Sequence, residues 1–293
     1  MVLRPVRESI RVLTQAIRNQ LVVTYNKVRK LVFLFQTTSF LLADKGYDVW
    51  LGNIRGNTYS RKHVNYSPNE QKYWNFSFHE MGTFDIPACI DFILKLTNQD
   101  KVTYIGHSMG TTMFYVMVSM RPEYNEKILV QLSLAPIAYL GHATSLVTSV
   151  APFEIEITIF VPTFVGHDPA GTAIKVLHHY AQFINNPDKF RQFDYGYGSS
   201  QNMKRYHSPV PPSYNISAIT TKVALFYGTN DMLTIQQDVK LLYSQLPNPI
   251  GIFKLDSFAH IDFLYGKDLR SKLNLRLLDI MESENRVYDH QIQ

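Results

Sequence analysis

Apolar residues run through this chain in two distinct rhythms. Short continuous runs near 31–35, 46–51, 101–105, 128–134, 223–227 and 250–255 read as strands buried on both faces, the habit of a parallel sheet. Between them the apolar positions recur at helical spacing. In "DIPACIDFILKL", Ile86, Cys89, Ile90, Phe92 and Ile93 form one face of a predicted helix, and Ser39 to Lys45 predicts a shorter one. Strands alternating with helices predict an α/β fold with a mostly parallel central sheet flanked by helices. Residues 1–30 differ: Val6, Ile10, Leu13, Ile17 and Leu21 fall on one helical stripe, with Arg7, Arg11 and Arg18 largely off it. They read as a basic amphipathic extension of a single domain at 31–293, packed on it, lying on an anionic membrane or serving as a transit peptide.

The segment "KVTYIGHSMGTTMFY" combines both rhythms. Val102, Tyr104 and Ile105 suit a strand, and Met113, Val116 and Met117 suit a helix face. The Gly-His-Ser-Met-Gly between them predicts a sharp turn in which Ser108 is exposed above the sheet edge. A Cβ at Gly106 or Gly110 is expected to collide with its neighbours there. The amide of Met109, at the start of the helix, is then aimed at an oxygen that gains negative charge.

A serine nucleophile needs a base, and the base needs a carboxylate to hold its tautomer. Of the ten histidines, His260 follows a strand-like run, "IGIFKL", and sits in the loop "DSFAH". Asp231 stands just beyond the strand "VALFYG". Both occupy carboxyl-end loops, where α/β folds place their chemistry. The order Ser108, Asp231, His260 is that of an α/β-hydrolase. Asp238, Asp256 and Asp262 remain alternatives for the acid.

Composition fits this picture. The 293 residues are 45% hydrophobic, sufficient for a large core, and no run approaches transmembrane length. The single cysteine, Cys89, excludes an internal disulfide. Residues 1–36 hold seven Lys or Arg and one Glu, so the net charge of +5 resides in that segment and the remainder is nearly neutral. That balance, and the lack of any nucleic-acid motif, argues against a nucleic-acid partner. No phosphate-binding Gly loop, metal-ligand cluster or repeat stands out, and the serine mechanism needs no cofactor or metal. A secretory signal peptide is not recognisable.

The segments "FLLADKGYDVWLGNIRGNTYSRKHV", "YWNFSFHEMGTFDIPACIDFIL", "VTYIGHSMGTT", "LAPIAYLGH", "GHDPAGTAIKVLHHYAQ", "MKRYHSPVPPSYNISAI" and "FAHIDFLYG" together resemble the acid lipase family, the gastric and lysosomal type of α/β-hydrolase found also in insects. The likeness runs from about residue 38 to about residue 283. It implies cleavage of carboxylic esters of neutral lipids, triacylglycerols or steryl esters, at a lipid–water interface. Ser108, Asp231 and His260 match the family's nucleophile, acid and base. It also implies a secreted or lysosomal glycoprotein, and Asn65, Asn75 and Asn215 each lie in an N-glycosylation acceptor pattern.

The chain departs from the family pattern twice. The strand ending in His-Gly-Leu and the long loop that furnish the second oxyanion amide are not recognisable; only "KLVFLFQTTS" precedes "FLLADKGYDVW". Leu31 to Phe35 is expected to fill the vacant central strand, with Gln36, Thr37 and Thr38 as a much shortened oxyanion loop and Gln36 or Thr37 as the second donor. The cap, spanning about 137–215, is shortened where "APFEIEITIF" meets "VPTFVGHDPAG".

Overall fold

The computed structural model describes residues 10–13, 31–33, 36–144, 171–196 and 200–291. Seven strands among them form one parallel sheet: β1 (Ile10–Leu13), β2 (Leu31–Phe33), β3 (Asp48–Gly52), β4 (Val102–His107), β5 (Ile128–Leu134), β6 (Val223–Gly228) and β7 (Pro249–Leu255), in the order β1-β3-β2-β4-β5-β6-β7. The reversal of order at β2 and β3 places β2 between β3 and β4. Val32 is in register with Val49 on one side and with Thr103 on the other. Leu31–Phe33 therefore fills the central position expected from the sequence, while Leu34 and Phe35 lie outside the described residues.

Two sequence expectations change here. Ile10–Leu13 is an edge strand parallel to β3, with Ile10 opposite Val49, and not a helical stripe. Local spacing cannot anticipate this, because the exposed edge of β3 offers backbone groups that an "IRVL" segment satisfies as a strand. The other residues of the 1–30 stripe lie outside the described ones. The first helix, α1 (Gln36–Asp44), begins three residues before the expected Ser39, so Gln36, Thr37 and Thr38 form its first turn and not a loop.

The remaining helices are α2 (Phe78–Glu80), α3 (Ile86–Thr97), α4 (Met109–Met120), α5 (Ile174–Asn185), α6 (Ser200–Tyr206), α7 (Gln236–Gln245), α8 (Asp262–Tyr265) and α9 (Leu275–Gln291). Alternation along the strands divides the core into two layers. On β6, Val223, Leu225 and Tyr227 pack with Ile90 and Ile93 of α3, Phe114 and Met117 of α4 and Val239 of α7. Ala224 and Phe226 point the other way, toward Leu42 of α1 and Leu277 and Met281 of α9. A strand covered on both faces has no polar side, which explains the continuous apolar runs. Cys89 and Phe92 flank the buried stripe of α3 and are only partly buried.

A fully buried histidine ties the core to the segment after α5. The Nε2–H of His179 donates to the Arg191 carbonyl at 3.0 Å, so Nδ1 is bare and faces the Ser77 hydroxyl at 3.1 Å. Its ring stacks on Phe78 with centres 4.0 Å apart. Burial, reinforced by the charges of His79 and Lys175, pushes its pKa down to about 3 against a partly offsetting bond to Arg191. An unfolded chain takes up this proton near pH 6.5, whereas the folded one does so only near 3. Stability is therefore full above pH 6.5 and declines as pH falls toward 3. In urea titrations across pH 7 to 4, the parent midpoint should drop steadily, and His179→Gln, though less stable at pH 7, should show a flatter decline. Parallel slopes for the two proteins would assign the acid sensitivity to other groups.

Candidate active site

The loops following β4, β6 and β7 open on the same edge of the sheet. The first of these turns is the sharpest. Ser108 has φ 53° and ψ −119°, a region that L-residues seldom occupy. Its amide donates to the Leu134 carbonyl at 2.9 Å and its carbonyl accepts from Thr111 N at 2.8 Å, so the chain is fastened on both sides of the strained residue. Gly106 is required by close approach: a Cβ there would lie 2.8 Å from the Gly110 carbonyl carbon and 2.9 Å from Thr111 N. Gly110 differs from expectation, since a Cβ there would meet nothing within 4 Å. The Gly110 carbonyl is instead an anchor, accepting from the Tyr104 hydroxyl at 2.9 Å.

The structure brings Ser108, His260 and Asp231 into one chain of hydrogen bonds. Ser108 Oγ lies 2.7 Å from His260 Nε2, and His260 Nδ1 lies 2.8 Å from Asp231 Oδ2. An ionised carboxylate only accepts, so Nδ1 carries the hydrogen and Nε2 is bare toward the serine. His260 and Asp231 are both buried. Asp231 Oδ1 accepts from the amides of Leu233 at 2.8 Å and Thr234 at 3.0 Å, and Oδ2 also accepts from the Thr234 hydroxyl. Burial works to raise the Asp231 pKa, but the bond and charge of His260 and the two Thr234 donors outweigh it, holding the carboxyl below its ordinary value.

The alternative acids are engaged elsewhere. Asp238 bonds His142, Asp256 pairs with Lys254, and Asp262 accepts from the Ala259 amide. This last bond shapes the His260 loop, together with Asn230 N donating to the Phe258 carbonyl at 2.9 Å. Gly228, at the end of β6, allows that loop to close down, because a Cβ there would lie 2.1 Å from the Phe258 oxygen.

Met109 is the first residue of α4, so its amide has no intrahelical acceptor and belongs to the helix end beside Ser108. Gln36 and Thr37 occupy the first turn of α1. The next residue, Thr38, is buried and donates from Oγ1 to Asn274 Oδ1 at 3.0 Å. Asn65, Asn75 and Asn215 are all exposed.

Three features were not read from the sequence. His107 Nε2 reaches the main-chain carbonyl of His260 at 2.8 Å. Thr111 Oγ1 bridges the elbow to the loop after β5, donating to the Ser108 carbonyl and accepting from Ile137 N at 2.9 Å. His142 and Thr144, beyond β5, are tied to the loop of Asp231 and to α7: His142 Nδ1 and N bond the buried Asp238 carboxylate at 2.8 and 3.1 Å, and Thr144 N donates to the Met232 carbonyl at 3.1 Å. The bond and charge of Asp238 raise the His142 pKa. None of these carries a local motif, since each partner lies at least 26 positions away or in main chain shaped by the strained turn.

Of the segment expected to form the cap, residues 137–144, 171–196 and 200–215 are described. Tyr180 of α5 donates to Thr112 Oγ1 of α4 at 3.1 Å, holding the two helices together on one face of the sheet. Ile174 and Leu177 of the same helix are 69% and 55% exposed. Residues 145–170 lie outside the described ones.

A family described as "alpha/beta hydrolase fold" matches residues 38–142. Lipase 1 of Drosophila melanogaster is 37% identical over 83% of this chain and 65% of its own length. Gastric triacylglycerol lipase of Bos taurus is 33% identical over 84% of this chain and 74% of its own, and human lipase member K is 33% identical over 83% and 73%. The chain thus spans about two thirds to three quarters of the length of these relatives. Among solved structures, the monoacylglycerol lipase of Paleococcus ferrophilus superposes with a TM-score of 0.52 at 16% identity, covering 87% of this chain and 94% of that one, a likeness of fold. With a third of its residues identical to the gastric lipases over most of its length, and with the parallel sheet and turn geometry described above, the chain belongs to the acid lipase family of α/β-hydrolases.

Proposed function

We propose that this protein is a serine hydrolase that cleaves carboxylic esters of neutral lipids, triacylglycerols or steryl esters, through an acyl-enzyme on Ser108. The observation that supports it best is the pair of short contacts, 2.7 Å from Ser108 Oγ to His260 Nε2 and 2.8 Å from His260 Nδ1 to Asp231 Oδ2. Ser108 Oγ attacks the ester carbonyl while His260 Nε2 takes its proton. Asp231 keeps the imidazole in the required tautomer and stabilises the imidazolium. Collapse of the tetrahedral intermediate breaks the ester C–O bond, and His260 gives its proton to the departing alcohol. Water, deprotonated by the same imidazole, then releases the fatty acid.

The oxyanion is assigned to the Met109 amide, with Gln36 or Thr37 in the first turn of α1 as the second donor. The reduced cap at about 137–215 covers the site, and the exposed Ile174 and Leu177 of α5 support contact with a lipid–water interface. No helix among the described residues is long and apolar enough to cross a membrane. A secreted or lysosomal setting belongs to the same reading, supported by the exposure of Asn65, Asn75 and Asn215 within their acceptor patterns.

A second reading is favoured by one observation: only two residues separate β2 from α1, where the family places a long oxyanion loop. Loss of one oxyanion donor lowers turnover by about 100- to 1,000-fold, which would leave a lipid- or protein-binding relative of the lipases. Labelling with a fluorophosphonate separates the two. Rapid labelling that disappears in Ser108→Ala supports the enzyme, and a folded parent that does not label supports the binder.

On p-nitrophenyl esters, Ser108→Ala and His260→Ala should each remove nearly all turnover, because nucleophile and base act as one unit. Asp231→Asn should keep the fold and lose activity by up to about 10⁴-fold through the wrong imidazole tautomer. Parent-like turnover in Asp231→Asn would move the acid role to another carboxylate.

Full burial of a methylene is worth about 0.8 kcal/mol, or roughly fourfold per carbon. With a shortened cap, kcat/KM should rise far less steeply than that from butyrate to oleate esters. A rise approaching fourfold per methylene would mean that the remaining cap encloses the acyl chain.

A further inference from the structure

The residue before the nucleophile carries an imidazole that reaches the loop of the base. His107 ends β4, in register with Leu134 of β5 and next to the Ser108 amide that is bonded to Leu134. It is thus anchored in the centre of the sheet. Its Nε2 lies 2.8 Å from the His260 carbonyl oxygen. A carbonyl only accepts, so Nε2 carries the hydrogen and Nδ1 is bare. The ring lies between two others, 5.0 Å from the centre of the His260 ring and 6.1 Å from that of Phe263.

The loop carrying His260 is fastened up to Ala259 by the Asn230–Phe258 and Ala259–Asp262 bonds. Beyond His260 the chain turns, with Asp262 N donating to the Ala259 carbonyl at 3.1 Å, and enters the four-residue α8. The peptide of His260 itself is held by His107. Rotating that peptide would swing the imidazole away from Ser108 Oγ, a contact that works only within a few tenths of an ångström.

We infer that His107 is a positioning residue for the base, its Nε2–H fixing the His260 backbone relative to Ser108 so that one strand end locates both partners. The inference rests on the triad proposed above. Burial, with the neighbouring charge of His260 second, pushes the His107 pKa down to about 3. The side chain therefore stays neutral where a histidine base operates, and places no second positive charge beside the imidazolium that forms on His260.

The test compares His107→Met with His107→Gln in the full chain. The two substituents are similar in length, but only glutamine offers a donor near the Nε2 position. With p-nitrophenyl butyrate, His107→Met should lower kcat about 10- to 100-fold with little change in KM, and should slow fluorophosphonate labelling of Ser108 in parallel. His107→Gln should recover most of both rates. If the methionine variant does not fold, His107→Phe, which keeps a ring against Phe263, takes its place. Parent-like kcat and labelling in the donor-free variant, or equal impairment of the glutamine variant, would overturn the inference while leaving the triad intact. A folded parent whose Ser108 does not label would overturn the triad reading itself and this inference with it.

Discussion

The backbone of Ser108, held at φ 53° and ψ −119°, is the constraint on which the surrounding structure depends. A residue in such a conformation costs on the order of 1–3 kcal/mol and persists only where its neighbours over-determine it. Here they do so from three directions. Leu134 of β5 accepts the Ser108 amide, Thr111 bonds the Ser108 carbonyl through both its amide and its hydroxyl, and Tyr104 reaches up from β4 to the Gly110 carbonyl. Gly106 allows α4 to come within contact of the strand it leaves. Stability from the packed sheet is thus converted into a serine oxygen fixed above the sheet edge.

The parallel sheet explains why three residues distant in sequence share that edge. Every strand points the same way, so the carboxyl ends of β4, β6 and β7 open together, and registers such as Gly106 with Ser133 and Leu134 with Phe226 set their relative heights. The low-dielectric surroundings strengthen the hydrogen bonds of the site and penalise any buried charge without partners. Asp231 meets this by collecting four donors, from His260, the Leu233 amide, and the Thr234 amide and hydroxyl. Its carboxyl pKa is therefore held below the ordinary value although burial alone would raise it.

Much of this was legible in the sequence, for a physical reason. A strand buried on both faces must be apolar throughout, so "VTYIG" and "VALFYG" announce themselves, and the residues just beyond them must be where the chemistry sits. Asp231 stands beyond such a strand, whereas His260 follows β7, an edge strand only partly buried, whose carboxyl end opens on the same side. Orientation was the part that spacing could not convey. His107 precedes Ser108 directly and carries no spacing that links it to His260, yet its ring reaches the His260 carbonyl 153 positions away. Gly110 looked like a steric requirement and is open space. Ile10–Leu13 carried a helical stripe but pairs with the edge of β3, whose own outward backbone groups only another strand can satisfy in a ladder.

The junction of β2 and α1 shows how far a sheet constrains what can be lost around it. A central parallel strand pairs on both sides, and removing one would strand amides and carbonyls on β3 and β4 at a cost of about 1–3 kcal/mol for each buried group left without a partner. Leu31–Phe33 occupies that place in a segment with little room for a loop, and α1 starts three residues later. The fold therefore keeps a strand in this central position, and the helix begins almost directly after it. A helix start presents free amides by geometry alone. Those of Gln36 and Thr37 are placed by β2, and the buried Thr38–Asn274 bond fixes the same turn against the segment leading into α9. The central strand that the sheet cannot spare thus also sets where the first helix begins.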